Sequence, residues 1–306
     1  MLYPDFDDLI SYKKRKLDKM QLSRCKVKST APGNHHSPFR GQGLDFDSVR
    51  EYVFGDDIRA IDWRVTARIG SPHLKLFKEE KERHAIICLD MNSAMRFGTK
   101  NTFKSIQAAR CASLLGWRAL AHQERISACF FGDVTDGLHY FASKCTRQTL
   151  SRIFKILTEP PSEHHNVSLE IALQHVCRVA HPGSLIYVIS DFMDLSPDFQ
   201  KESSLSRLNK TCDVIFISIN DVADKTLSPA GIVGFCGQNA DKVYINTNSI
   251  KGRQLYAAQW EENRKMLNSV TDRFKIPLIA LSTESEIHRD LLLGLKHISK
   301  RKKCLL

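Results

Sequence analysis

The stretch His84-Ala-Ile-Ile-Cys-Leu-Asp-Met-Asn-Ser-Ala-Met95 decides how the rest of the chain is read. Ile86 to Leu89 form an apolar run without alternation, as suits a strand buried on both faces of a parallel sheet. Asp90 follows at its carboxyl end, with small polar residues behind it. In open α/β sheets that edge collects ligands, because connecting loops diverge there and helix N-termini point into the crevice.

Working outward, similar runs recur. Arg125 to Phe131 reads as a second strand, and turn residues at Gly132-Asp133 and Asp136-Gly137 lead into an edge strand near Leu138 to Phe141. Ser184 to Ser190 is again of the buried type and again ends in an aspartate, Asp191. Asp213 to Ile219 and Ile276 to Leu281 add further strands, and Lys242 to Ile245 a short edge strand. Helical patterns fall between them, at Thr99 to Ala121, Leu150 to Leu157, Leu169 to Val179, Ile250 to Phe274 and Glu286 to His297. In the fourth of these, Tyr256, Trp260, Leu267, Val270 and Phe274 form a stripe expected to pack in the core. The alternation predicts an α/β fold with a doubly wound, mostly parallel sheet. Two strands ending in aspartate place Asp90 and Asp191 on one sheet edge.

The 306 residues carry a net charge of +11, and its position matters more than its size. Ser11 to Lys28 holds eight basic residues and one acid, and Leu295 to Leu306 holds five basic residues and no acid. The body between them is therefore close to neutral. Basic ends could meet an anionic lipid surface or an acidic partner, but they lack the interleaved aromatics and reader motifs of specific nucleic-acid recognition. Nine scattered cysteines without a CxxC pair suit reduced thiols in the cytoplasm. No apolar run approaches the ~18 residues of a membrane span. The expected location is cytoplasmic, with peripheral contact with the inner membrane left open. Walker A and GxGxxG patterns are absent.

Upstream, residues 1–39 are expected to form a basic N-terminal helix through Met20 followed by a linker over Ser29 to Phe39. Residues 40–83 interleave arginines and aspartates around Phe46, Tyr52, Phe54 and Trp63. Such density suits either a salt-bridged cap on the sheet or a docking surface, since Arg and aromatic residues dominate interface hot spots. Arg50, Asp56, Arg59, Asp62, Trp63 and Arg64 are the candidates. Residues 84–298 then form the main domain and 299–306 a basic tail.

GLDFDSVREYVFGDDIRAIDW, followed by TARIGSPHLKLFKEEKE and the strand ending in Asp90, resembles the bacterial domain-of-unknown-function 58 family. The resemblance implies a von Willebrand factor A-like domain and a MoxR-type AAA+ ATPase as partner. It further implies that the sheet edge descends from a metal-dependent adhesion site, with an Asp-x-Ser-x-Ser loop, a threonine and a second aspartate around Mg²⁺. This chain departs from that pattern. Asn92 replaces the first serine, Ala94 the second, and either Val167 or Ser168 stands at the threonine position. Asp90, Asn92 and Asp191 are therefore the expected remnants of a degenerate site with weak Mg²⁺ binding at most, because a hard cation wants a full oxygen shell.

The expected function is that of a non-enzymatic interaction or adaptor protein, with a chaperone-like role in assembly or maturation beside the ATPase. The alternative is a Mg²⁺-dependent phosphohydrolase-like enzyme with Asp90 as nucleophile. Asn92 stands where such an enzyme needs an acid, and an amide exchanges no proton at that step.

Overall fold

The computed structural model describes residues 3–15, 32–41, 45–81, 83–161, 165–193, 195, 199, 203–236 and 242–303. In chain order the elements are α1 (Phe6–Ser11), β1 (Pro32–Gly41), β2 (Asp45–Glu51), α2 (Trp63–Ile69), β3 (His73–Lys81), β4 (His84–Met91) and α3 (Lys104–Ala121). β5 (Arg125–Gly132), β6 (Leu138–Lys144), α4 (Arg147–Thr158), α5 (Leu169–Val179), β7 (Leu185–Ser190), α6 (Ser203–Thr211) and β8 (Asp213–Asn220) follow. The last are α7 (Val222–Lys225), β9 (Ile232–Cys236), β10 (Lys242–Asn246), α8 (Ile250–Phe274), β11 (Leu278–Ser282) and α9 (Ile287–Lys303).

A six-stranded sheet in the order β11-β8-β7-β4-β5-β6 forms the centre. Every pairing in it is parallel except that of β6, which closes the edge antiparallel to β5. This is the doubly wound sheet that the sequence predicts. The order reverses beside β4, so the carboxyl ends of β4 and β7 border the switch point where open sheets hold their ligands.

Strand pleating sorts the core into two layers. Ala85, Ile87 and Leu89 join α3, α4 and α9 on one face. Ile86 and Cys88 join α5, α6 and the C-terminal part of α8 on the other. Both layers are fully covered, which explains why β4 shows no alternation of polar and apolar residues.

The first helix is short, ending at Ser11 in a 3₁₀ turn over Tyr12–Lys14, and the basic residues at 16–28 lie outside the described residues. What is described is pinned to the body. The Leu9 carbonyl accepts from Ser113 Oγ at 2.6 Å and Trp117 Nε1 at 3.1 Å, and Arg110 donates to Asp8 at 2.8 Å. Arg15 reaches Glu286 at 3.4 Å, and Lys13 lies 5.7 Å from the centre of the Trp117 ring.

Several expectations need correction. From Pro32 onward, the linker expected over Ser29 to Phe39 is instead β1, paired antiparallel with β3 in a separate sheet of order β1-β3-β2; residues 29–31 lie outside the described residues. Its register shifts between Pro32 and His35 and between His36 and Arg40, irregularities that accommodate Gly33 and Pro38 within a strand. The Arg/Asp/Trp segment is thus part of this small sheet, which begins inside the expected linker. β10 pairs with β9 in a hairpin of its own instead of edging the main sheet. In α8, Leu267 and Val270 are buried as expected, whereas Tyr256 and Trp260 are half-buried, with the Lys225 ammonium 5.3 Å from the centre of the Trp260 ring. Finally, α9 continues through Lys303, so most of the basic tail extends a helix.

α3 also starts later than Thr99. The Thr99 N–H and hydroxyl donate to Asp221 at 3.1 and 2.5 Å, which ties down the bent loop that leads to the extended N-cap Phe103.

Candidate functional site

Asp90 is the second-last residue of β4, with its carboxylate buried and both oxygens engaged. Oδ1 accepts from the Asn92 backbone N–H at 2.9 Å and from Asn92 Nδ2 at 2.8 Å, while Oδ2 accepts from Ser190 Oγ at 2.6 Å. Asn92 then fastens the neighbouring loop. Its Nδ2 donates to the Val167 carbonyl at 3.1 Å, and its Oδ1 accepts from the Val167 N–H at 3.3 Å. One carboxamide thereby satisfies both backbone groups of Val167, a use of Asn that a serine could not reproduce. Gly132 makes room for it: at φ +107° a Cβ there would stand 2.5 Å from Asn92 N and 2.7 Å from its Oδ1.

Burial drives the Asp90 carboxyl up to about 7, and the nearby Asp191 charge adds to the rise against the hydrogen bonds from Ser190 and Asn92.

Asp191 follows β7. Its Oδ1 accepts from the Met193 N–H at 3.2 Å, and its Oδ2 accepts from Lys104 Nζ at 2.7 Å. Between these groups Phe192 takes φ +55°, a left-handed turn offset by burial of its ring, stacked 4.9 Å from Phe216. Lys104, in the first turn of α3, is 2% exposed and also meets Asp224 Oδ1 at 3.4 Å. Burial lowers its pKa, but Asp191 and Asp224 outweigh burial and raise it overall. Asp224 is held by the Asp221 N–H at 2.7 Å in the capping box of α7.

The donor set does not fit Mg²⁺. All four oxygens of Asp90 and Asp191 already accept bonds from protein donors, Ala94 has no side-chain oxygen, and Val167 offers only a backbone already clasped by Asn92. Ser168 is the N-cap of α5, its hydroxyl accepting from Ile171 N at 3.4 Å. Among the described residues no group of three or more His, Cys, Asp and Glu is arranged to hold a metal ion. Beside Asp191 lies a solvent-open crevice of about 10 Å³ lined by Phe192, Asn220, Trp260 and Arg264. That is below the ~300–1,000 Å³ of a small-molecule pocket.

The other candidates lie on the small sheet, where the structure separates them into two groups. Arg50 donates to Asp56 at 2.7 Å, and Asp56 accepts from the Val53 N–H at 3.0 Å, closing the turn after β2. The Arg50 hydrogen bond holds the Asp56 carboxyl below its usual range. Asp62 caps α2 through the N–H groups of Arg64 and Val65 and pairs with Lys75 at 3.4 Å. These three residues shape the loop. Trp63, Arg59 and Arg64 do not: all three are exposed, Trp63 by 67%, beside Phe54 at 98% and Val53, Ile58 and Ile69, each more than half exposed.

Sequence reasoning missed Lys104, Ser190 and Asp224. Lys104 had a legible signal, since a cation in the first turn of a helix opposes the helix dipole and so calls for a dedicated carboxylate.

Comparison with known proteins places the chain. Residues 48–266 match the family model described as "Protein of unknown function DUF58". The "Uncharacterized protein Rv1480" of Mycobacterium tuberculosis is 24% identical over 270 residues, covering 87% of this chain and 83% of the relative, and Mb1516 of Mycobacterium bovis matches equally. Among solved structures, the conserved hypothetical protein BatB from Bacteroides thetaiotaomicron aligns with TM-score 0.47 and 12% identity, over 71% of this chain and 99% of that one. An aerotolerance-related membrane protein from Bacteroides fragilis gives 0.44 and 10%, over 72% and 99%. A von Willebrand factor type A structure from Catenulispora acidiphila gives 0.42 and 10%, over 74% and 44%. With the family model covering well over half of its length, the chain belongs to the DUF58 family.

Proposed function

We propose that this protein is a non-enzymatic interaction module that docks through the tip formed by the β2–α2 loop and α2, and that its partner is a MoxR-type AAA+ ATPase. The observation that carries the reading is the makeup of that tip. Its carboxylates are used internally, Asp56 by Arg50 and Asp62 by its cap and Lys75. Phe54, Ile58 and Trp63 are exposed, as are Arg59, Arg64 and Arg68. Exposed aromatic and arginine side chains on one short segment are the composition of an interface hot spot. The ATPase enters through the family resemblance, and its role here is assembly or maturation of a client.

The surroundings of Asp90 weigh against the phosphohydrolase alternative. A nucleophilic carboxylate needs a free oxygen facing a phosphoryl group and an acid nearby, whereas both Asp90 oxygens accept protein hydrogen bonds and its neighbour is Asn92. No helix among the described residues is long and apolar enough to cross a membrane, and any membrane contact is proposed to be peripheral, through the basic ends.

Coprecipitation with the MoxR-type ATPase of the same genome tests the docking claim. Wild type is expected to retain the ATPase and the Phe54→Ala/Trp63→Ala variant to lose it. Equal retention by both would sink the assignment of the tip.

A further inference from the structure

We propose that Lys104 is a built-in cation that takes over the electrostatic role of a divalent metal at this sheet edge, so that the edge is closed to Mg²⁺ and keeps its shape without it. The inference stands independently of the docking assignment.

The third-loop aspartate of a metal-dependent adhesion site needs a positive charge, because a carboxylate removed from water must be paired. Here the charge comes from the chain itself. Lys104 Nζ lies 2.7 Å from Asp191 Oδ2 and 3.4 Å from Asp224 Oδ1, and its side chain is 3% exposed. The Phe97 ring, 5.6 Å from Nζ to its centroid, contributes a π face to the same charge. A lysine in the first turn of α3 opposes the helix dipole, so this placement is upheld by the two carboxylates.

The loops around it are tied in a way that makes a second cation unwelcome. A divalent ion bound to Asp191 would sit within a few ångströms of the ammonium, and like charges at that range repel strongly where water is excluded. It would also have to shed water onto a shell whose other protein oxygens, on Asp90, already accept from Asn92 and Ser190. The Asn92 carboxamide, clasping Val167 from both sides, does by hydrogen bonding what a shared metal does by coordination: it holds the first and second loops together.

The test is Mn²⁺ binding followed by electron paramagnetic resonance, with thermal unfolding in Mg²⁺ and in EDTA as a second readout. The wild type is expected to bind no stoichiometric Mn²⁺ at about 1 mM, the weak end of protein cation sites, and to unfold at one temperature in both buffers. Lys104→Ala is expected to gain a Mn²⁺ site at least about tenfold tighter than wild type, with an unfolding temperature that rises in Mg²⁺, both lost again on adding Asp191→Asn. Lys104→Gln, which keeps the chain length, replaces it should the alanine variant fail to fold. Stoichiometric Mn²⁺ binding by the wild type that is lost in Asp191→Asn would overturn the proposal. So would a folded Lys104 variant that binds Mn²⁺ no better than wild type.

Discussion

The carboxyl edge of the main sheet and the tip of the small sheet carry similar residue types in opposite circumstances. At the edge, Asp90, Asn92, Asp191 and Lys104 are buried or nearly so and direct their polar atoms at one another and at the backbone. At the tip, Asp56 and Asp62 are engaged in the same way, yet Arg59, Arg64 and Trp63 remain exposed around them. Charge density in a sequence therefore does not locate function. What matters is which charged groups the fold has already engaged.

Lys104→Met is the hardest test of the edge. It strands Asp191 and Asp224 without their cation, and removing one partner of a buried pair costs about 3–5 kcal/mol. Chemical unfolding should show that loss and a partial recovery in Lys104→Met/Asp191→Asn.

The same glycine substitution sharpens the contrast. Gly132→Ala would push a Cβ to 2.5 Å from the Asn92 backbone, whereas Gly70→Ala, at the end of α2, adds a methyl with nothing within 4 Å. Both positions have positive φ, +107° and +87°, so both carry backbone strain. Strain alone costs about 1–3 kcal/mol, and denaturation midpoints should place Gly132→Ala clearly below Gly70→Ala.

pH separates the regions further. The Asp90 carboxyl lies at about 7 in the fold against an ordinary value of 3.8. Between those values the folded state binds a proton that the unfolded state releases, so stability is full below about pH 4 and declines as pH rises through 7. That contribution should be on the order of 4 kcal/mol. Asp90→Asn should flatten this part of the stability–pH curve, and an unchanged slope would show that Asp90 is not the titrating group. Smallest of all, Trp63→Ala should shift stability by only about 0.5 kcal/mol or less, as exposed positions do, in the same unfolding assay.

Much of the main sheet was legible because a strand buried on both faces leaves a run such as Ile86 to Leu89 that few other structures would. The ends of β4 and β7 followed from those runs, and Asp90 and Asp191 with them. β1 was not legible: Pro32, Gly33 and Pro38 are turn residues by habit, and pairing with β3 across register shifts overrides that local preference. Lys104 left only the hint of a cation in the first turn of a helix; which carboxylates answer it was hidden, because they lie 87 and 120 residues away in sequence. The division of Arg50, Asp56 and Asp62 from Arg59, Trp63 and Arg64 was equally hidden, since it depends on which carboxylate each backbone N–H meets.

The central claim is that the tip binds and the edge supports. Affinity for the MoxR-type ATPase, measured by biolayer interferometry for wild type, Trp63→Ala/Arg64→Ala and Asp90→Asn, tests it most directly. The tip variant should lose at least about tenfold, as hot-spot truncation does, while Asp90→Asn stays within about twofold of wild type, as a residue outside the interface does. An Asp90→Asn protein that folds but no longer binds, beside a tip variant that binds normally, would contradict the account.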